Sequence, residues 1–238
     1  MVSLLYMSKI HRFFVDQKLS LGKNTISDDA TVDHMIVVRI EEAERVILFN
    51  GDGFDYDGNI TKKGRMPEVE ILEKRKNKTE PATPIHLYLS ILKRENTEFA
   101  LEKAIELGIT DFTPVLSERT IKTGIKQERL EKIARSASEQ SGRGIIPKIH
   151  AQVTLKEALE KIPKNTTILF FDTVEHKNGK ADVGNKNPQA LFVGPEGGWT
   201  DPEKDLARAN NAHFIQLVPT VLRGETAAII ATYYAVIK

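Results

Sequence analysis

The sequence predicts an α/β protein in which a small β-rich domain precedes a larger domain with a mostly parallel sheet. Two observations carry this prediction. Short β-type runs separated by turn residues fill the first 76 positions, and from residue 85 onward apolar strands alternate with helix patterns. At 238 residues the chain is long enough for one large or two modest domains.

The first predicted domain covers residues 1–76. Its β-type runs are 12–15, 35–40, 45–50 and 67–73. Two hairpin signals lie among them, Asn50-Gly51-Asp52-Gly53 and Asp57-Gly58. Several short strands joined by such turns are typical of a small barrel or sandwich.

A linker is predicted at residues 77–84. A basic stretch at 74–78 is followed closely by Pro81 and Pro84, and such a composition is typical of a connection between domains. The second domain is therefore expected to cover residues 85–238.

The second predicted domain alternates strands and helices, which is typical of a parallel sheet covered by helices. Its strands are predicted at 85–92, 112–116, 167–171, 190–193 and 213–218, and its helices at 98–107, 126–140, 201–209 and 226–238. The last helix is apolar on every side, which indicates that it is buried on every side. Such burial needs either a deep core position or a second subunit, and we expect a second copy of the chain to cover part of the helix in a homodimer.

Composition excludes several kinds of site. The 34 Lys and Arg nearly balance the 33 Asp and Glu, so any nucleic-acid surface has to be a local patch. The absence of cysteine excludes disulfides, iron–sulfur clusters and thiolate zinc sites. The six histidines lack ligand-like spacing, so no metal site is expected. The longest apolar run, 226–237, is shorter than the ~20 residues that span a bilayer. A soluble, cytoplasmic protein is expected.

Two loops are the strongest functional signal. LFVGPEGGWTDPE (191–203) and LVPTVLRGETA (217–227) each run from an apolar strand into a helix pattern. Because such loops follow the carboxyl ends of strands, they can form two walls of a small-ligand pocket. The alternatives are a tight turn that needs its glycines only for shape, and an ordinary helix start with a surface ion pair.

Taken together, the motifs resemble the RsmE family, SPOUT-class methyltransferases that act on N3 of one uridine in small-subunit ribosomal RNA. The resemblance rests on SASEQSGR (136–143), VGPEGGW (193–199) with an acidic residue at Glu203, and LRGETA (222–227). Further similar segments are 11–15, 47–53 and 100–120. The resemblance therefore extends over nearly the whole chain.

This resemblance implies a PUA-like β-barrel followed by a SPOUT trefoil-knot domain, S-adenosylmethionine as cofactor, a homodimer, and 16S ribosomal RNA in the assembled small subunit as partner. The cofactor contacts that it implies are Val193, Gly194, Glu196, Gly197, Gly198, Leu217, Val218, Leu222 and Arg223. Two positions depart from the family pattern, because Val218 stands where a glycine is usual and Thr220 where an arginine is usual.

Candidate catalytic and RNA-binding residues follow from the same motifs. Arg223 is expected to stabilise negative charge on the uracil oxygens, while Glu196, Glu225 or solvent accepts the N3 proton. The expected RNA contacts are Lys9, His11, Arg12, Arg119 and Arg143. Two alternatives stay open: an RNA methyltransferase with a different nucleotide target, and an RNA-binding assembly factor without catalysis.

Overall fold

The computed structural model describes residues 10–120, 124–173 and 187–237, so the predicted RNA contact Lys9 lies outside the described residues. By its internal contacts the chain divides into two compact units. Unit 1 comprises Met1–Glu80 together with Glu139–Ile145, and unit 2 comprises Pro81–Ser138 together with Ile146–Lys238. The break between Glu80 and Pro81 falls inside the predicted linker, and the domain limits themselves remain a prediction.

Unit 1 is built on a mixed five-stranded sheet. Its elements are β1 (His11–Phe14), β2 (Gly22–Thr25), α1 (Asp29–Val37), β3 (Arg45–Phe49), β4 (Phe54–Lys62) and β5 (Glu68–Lys76). The strand order is β1-β3-β4-β5-β2, with β1 and β3 parallel and the remaining pairs antiparallel. The predicted small β domain is therefore confirmed.

The strand predicted at 35–40 is wrong, because residues 29–37 form the helix α1. Asp28 caps this helix by accepting a hydrogen bond from the backbone N–H of Ala30, which satisfies one of its free amide groups. Thr31 and Met35, four residues apart, lie on one buried face of the helix. The cap and this spacing favour a helix over the β propensity of the isoleucine and valine residues that follow.

Residues 139–145 belong to unit 1 through a network of polar contacts. Glu139 Oε1 accepts the backbone N–H of Phe14 at 2.9 Å, and Arg12 Nη2 donates to the carbonyl of Arg143 at 3.0 Å. Arg143 also forms an ion pair with Glu80 at 2.5 Å, and its side chain is only 3% exposed. A buried, paired guanidinium is not available to a nucleic acid, so the expectation that Arg143 contacts RNA is withdrawn.

Unit 2 is an α/β layer with a parallel sheet. Its elements are β6 (Ile85–Ser90), α2 (Arg94–Leu107), β7 (Asp111–Leu116), α3 (Gln127–Ser141, whose last three residues group with unit 1), β8 (Lys148–Ile149), β9 (Val153–Thr154), α4 (Leu155–Glu160), β10 (Thr167–Phe171), β11 (Gln189–Val193), α5 (Asp201–Ala209), β12 (His213–Ile215) and α6 (Gly224–Val236). The strand order is β12-β10-β11-β6-β7-β8, with β9 also on β7, and every pair is parallel. The predicted α/β class is confirmed.

Successive residues of each strand alternate between the two faces of the sheet. On one face Leu87 and Leu191 belong to a core that includes residues of α2 and α6. On the other face Tyr88, Phe192 and Phe170 form a row of stacked rings, 4.6 and 5.9 Å apart between centroids. Both faces are therefore covered, which explains why these strands are continuously apolar.

The last helix is less buried than its composition predicts. α6 buries Ala228, Ala231 and Ala235 within unit 2. Ile230, Tyr233 and Val236 remain 36%, 50% and 38% exposed. An apolar helix face is thus left open in the single chain. In the described part of the chain no helix combines the length and the apolar character needed to cross a membrane.

Arg143→Ala tests the structural role of this residue. We expect the free energy of unfolding of unit 1 to fall by about 3 kcal/mol. The change removes the guanidinium from a buried ion pair, so the carboxylate of Glu80 loses its charged partner. Arg65→Ala is the matched control, because its ion pair with Asp33 is largely exposed, and it should leave stability unchanged. Urea unfolding followed by circular dichroism measures both. Equal stability of the two variants would contradict the assignment.

Candidate active site

Three strands of the sheet in unit 2 have their carboxyl ends side by side. Phe171, the last residue of β10, is in register with Val193 of β11 and with Ile215 of β12. Because the strands are parallel, the chain leaves all three at the same edge. The segments that follow line a cavity of about 380 Å³, which is within the usual range for small-molecule sites.

The first wall of the cavity is the loop after β11. Gly198 has a φ of +67° and donates its N–H to the carbonyl of Pro195 at 2.9 Å, which closes a tight turn. The buried Trp199 donates its indole N–H to the carbonyl of Phe171 at 3.0 Å. A Cβ at Gly194 would lie 3.0 Å from the Trp199 ring. Gly198 thus serves the shape of the turn, and Gly194 allows the loop to pack closely on Trp199.

The second wall is the segment before α6, which starts at Gly224. A Cβ at Gly224 would lie 2.6 Å from Leu92 Cδ2, so only glycine allows the helix to begin this close to its neighbour. Arg223 precedes the helix in extended conformation and is exposed. The nine predicted cofactor residues all line the cavity: Val193, Gly194, Glu196, Gly197, Gly198, Leu217, Val218, Leu222 and Arg223.

Sequence reasoning missed the contribution of β10. Phe171, Asp172 and Thr173 also line the cavity. Asp172 is almost fully buried and forms an ion pair with Lys204 of α5 at 3.2 Å. The available signal was an acidic residue directly after an apolar strand. Thr220, one of the two departures from the family pattern, lies in the cavity wall as Val218 does.

The three candidate catalytic residues are not equally placed. Arg223 and Glu196 both line the cavity, and Glu196 is exposed, with Oε1 accepting the backbone N–H of Lys93 at 3.3 Å. Glu225 lies in the first turn of α6 and is outside the cavity lining. Its Oε2 is buried and has no hydrogen-bond partner among the described residues.

The loop after β7, which contains Glu118 and Arg119, forms two hydrogen-bond contacts with the first wall and with α5. Arg119 Nη1 donates to the carbonyl of Gly197 at 2.7 Å. Glu203 accepts the backbone N–H of Glu118 at 2.8 Å with one oxygen and that of Thr200 at 2.8 Å with the other. The exposed Arg119 is therefore held beside the cavity, and Glu203 connects its loop to the start of α5.

Two predicted RNA contacts in unit 1, His11 and Arg12, are less exposed than Arg119 and interact with side chains of their own unit. Arg12 pairs with Asp55 at 2.9 Å and lies over the ring of Phe49 at 5.3 Å. His11 is half-buried, and its Nε2 lies 3.7 Å from a carboxylate oxygen of Glu44. Of these two residues, His11 keeps the more accessible side chain.

Comparison with known proteins agrees with this site. Residues 78–236 match the model of a family described as the RNA methyltransferase domain. The ribosomal RNA small subunit methyltransferase E of Mesomycoplasma hyopneumoniae is 30% identical over 225 residues, covering 92% of this chain and 96% of that protein. The protein of the same name from Rickettsia conorii is 28% identical, with 94% and 93% covered.

A solved structure is similar over the same length. The crystal structure of a ribosomal RNA small subunit methyltransferase E from Neisseria gonorrhoeae, bound to S-adenosyl methionine, superposes with a TM-score of 0.88 at 33% identity, covering 94% of this chain and 96% of that one. The family model and these relatives together span nearly all of the sequence. The chain therefore belongs to the RNA methyltransferase domain family and, within it, to the ribosomal RNA small subunit methyltransferase E family.

Proposed function

We propose that this protein methylates N3 of one uridine in the decoding region of 16S ribosomal RNA, with S-adenosylmethionine as the methyl donor. The observation that carries the proposal is the cavity between the two loops, whose lining includes all nine residues expected to hold the cofactor. The chain's similarity to ribosomal RNA small subunit methyltransferases E, one of them bound to S-adenosyl methionine, supports it.

The residues of the cavity fit this cofactor chemically. Leu217, Val218 and Leu222 offer apolar surface for an adenine ring, while the exposed Glu196 offers negative charge to the positive groups of the ligand. Gly194 and Gly197 leave the main chain accessible because neither carries a Cβ. A Cβ on Gly197 would meet the Arg119 side chain at 3.2 Å.

When bound, S-adenosylmethionine supplies an activated methyl group on a positively charged sulfur. The protein has to hold the uracil ring against this group, and such alignment supplies a large share of the rate in transfer reactions. Loss of the N3 proton leaves negative charge on the uracil ring and its oxygens. Arg223, exposed at the cavity, is the group that we propose to stabilise this charge.

The proton acceptor that we propose is Glu196. It lines the cavity and is accessible from outside, so a uridine entering the cavity can approach its carboxylate. Glu225 lies outside the lining, and we propose that it supports the start of α6 next to Arg223. Proton loss to solvent remains the alternative that the variants below distinguish.

RNA recognition is proposed to use Arg119 beside the cavity and His11 in unit 1, with Arg12, which is paired with Asp55, and Lys9 retained as predictions. Arg119 is exposed, and one of its guanidinium nitrogens, Nη1, donates to the carbonyl of Gly197. The charge of the side chain is therefore held in place and is available to a phosphate. Contacts of this kind make binding strongly dependent on salt. The target uridine has to leave its stack to enter the cavity.

We further propose that two copies of the chain associate through the open face of α6. This face carries Ile230, Tyr233 and Val236, and in a symmetric dimer the same face of each copy would cover that of the other.

The assembled small subunit is the proposed substrate, and we accordingly propose a cytoplasmic location. For the chain itself we propose a β domain over residues 1–76, a linker over 77–84 and the methyltransferase domain over 85–238.

The decisive experiment is methyl transfer from labelled S-adenosylmethionine to small ribosomal subunits that lack base methylation. We expect one N3-methyluridine in the 3′ part of the 16S RNA, located by mass spectrometry. Methylation at another nucleotide would assign the protein to the first alternative, a different RNA target. Absence of both transfer and cofactor binding would leave the second alternative, an assembly factor without catalysis.

Gly194→Ala tests the first wall of the cavity. We expect S-adenosylmethionine to bind at least ~10-fold more weakly, because the new methyl group would press on the anchored Trp199 ring and displace the loop. Gly124→Ala is the matched control, since its Cβ would meet no atom within 4 Å. Isothermal titration calorimetry measures both. Unchanged affinity of Gly194→Ala would exclude this wall from the site.

Glu196→Gln and Glu225→Gln distinguish the candidates for proton acceptor. We expect Glu196→Gln to lower the single-turnover rate by ~100-fold or more, because general-base catalysis contributes about this much, and the remaining rate should rise with pH as hydroxide replaces the carboxylate. Glu225→Gln should retain most of the rate. The reverse result would assign the proton to Glu225, and two active variants would assign it to solvent.

A further inference from the structure

Three side chains that can ligate metals meet in unit 2 at the end of the sheet opposite to the cavity. His86 lies near the start of β6, Asp111 begins β7, and His150 directly follows β8. His86 and Asp111 are register partners on neighbouring strands, so their side chains lie on the same face of the sheet. One potential ligand atom of each residue lies within 4.8 Å of those of the other two.

The three residues are already held in place by their surroundings. His150 Nε2 lies 2.7 Å from Asp111 Oδ1, and His86 Nε2 lies 2.7 Å from the hydroxyl of Thr113. The two imidazole rings stack at 4.9 Å between centroids, and His86 also stacks on Tyr88 at 4.0 Å. Partners of this kind fix the orientation of ligating side chains in metal sites.

We propose that His86, Asp111 and His150 bind one divalent transition-metal ion, for which zinc is the best chemical match. Two imidazoles and one carboxylate form a ligand set that zinc uses, with water completing four-coordination. Metal–ligand bonds of about 2.0–2.2 Å place the ligand atoms of a tetrahedral site roughly 3.4 Å apart. Small side-chain rotations therefore close the site around an ion.

The cluster is accessible to a metal ion. The side chains of His150 and Asp111 are 30% and 29% exposed, so an ion and its water can reach them from outside.

An ion here would reinforce the attachment of β8, since β6 and β7 already pair over five residues. β8 has only two residues, Lys148 and Ile149, in register with β7, and the backbone N–H of His150 adds a hydrogen bond to the carbonyl of Phe112 at 2.9 Å. A metal bound by His86, Asp111 and His150 would connect β6, β7 and the end of β8. We therefore expect a structural role, remote from the cavity and independent of the proposed methyl transfer.

The test uses the full chain without an affinity tag, stripped with a chelator and titrated with zinc chloride by calorimetry. We expect one ion per chain and a melting temperature raised by about 5 °C or more at saturating zinc. Asp111→Asn and His150→Ala should each weaken binding at least 10-fold. Cobalt should give the visible absorption spectrum of a four-coordinate site.

His213→Ala is the matched control, because His213 is an exposed histidine of the same unit and its loss should leave zinc binding unchanged. Circular dichroism of the metal-free variants shows that they are folded, and Asp111→Asn preserves the shape of the side chain. The proposal is overturned if the chain fails to bind zinc in the micromolar range. It is also overturned if Asp111→Asn and His150→Ala bind zinc as tightly as His213→Ala.

Discussion

The parallel register of β10, β11 and β12 is the constraint on which the site depends. Because Phe171, Val193 and Ile215 lie side by side, three separate segments leave the sheet at one edge and enclose a single cavity. An antiparallel arrangement would deliver neighbouring loops to opposite edges. The indole of Trp199 adds a lateral connection, since it joins the loop after β11 to the last carbonyl of β10.

The charged residues around the cavity differ in exposure according to their distance from the sheet. Asp172, at the strand end, is buried and paired with Lys204, whereas Glu196 and Arg223, further along their loops, are exposed. The inner charge is thus neutralised by the protein and the outer charges are available to a ligand. This division matches a site that holds a cofactor deep in the cavity and meets RNA at its mouth, as the proposed reaction requires.

Local patterns in the sequence predicted most of the described strands and helices and both loops of the site, because alternation and turn chemistry depend on neighbours along the chain. The strands β2, β4, β8 and β9 and the helices α1 and α4 were not predicted. Features that depend on contacts between residues far apart in the sequence could not be predicted in this way. Arg143 was expected at an RNA surface, yet its partner Glu80 buries it. Spacing along the chain likewise gave no reason to group His86 with His150, which meet only because β6, β7 and β8 are adjacent. Asp28 and its cap were overlooked in favour of β propensity.

Trp199 is the single tryptophan of the chain, and it is one of the residues that line the cavity. The indole packs on Phe170, with ring centroids 4.5 Å apart, and is almost entirely shielded from water. Its emission therefore originates from one known environment. A molecule that fills the cavity is expected to change the polarity beside this residue, so the protein contains its own optical reporter of occupancy, without a label.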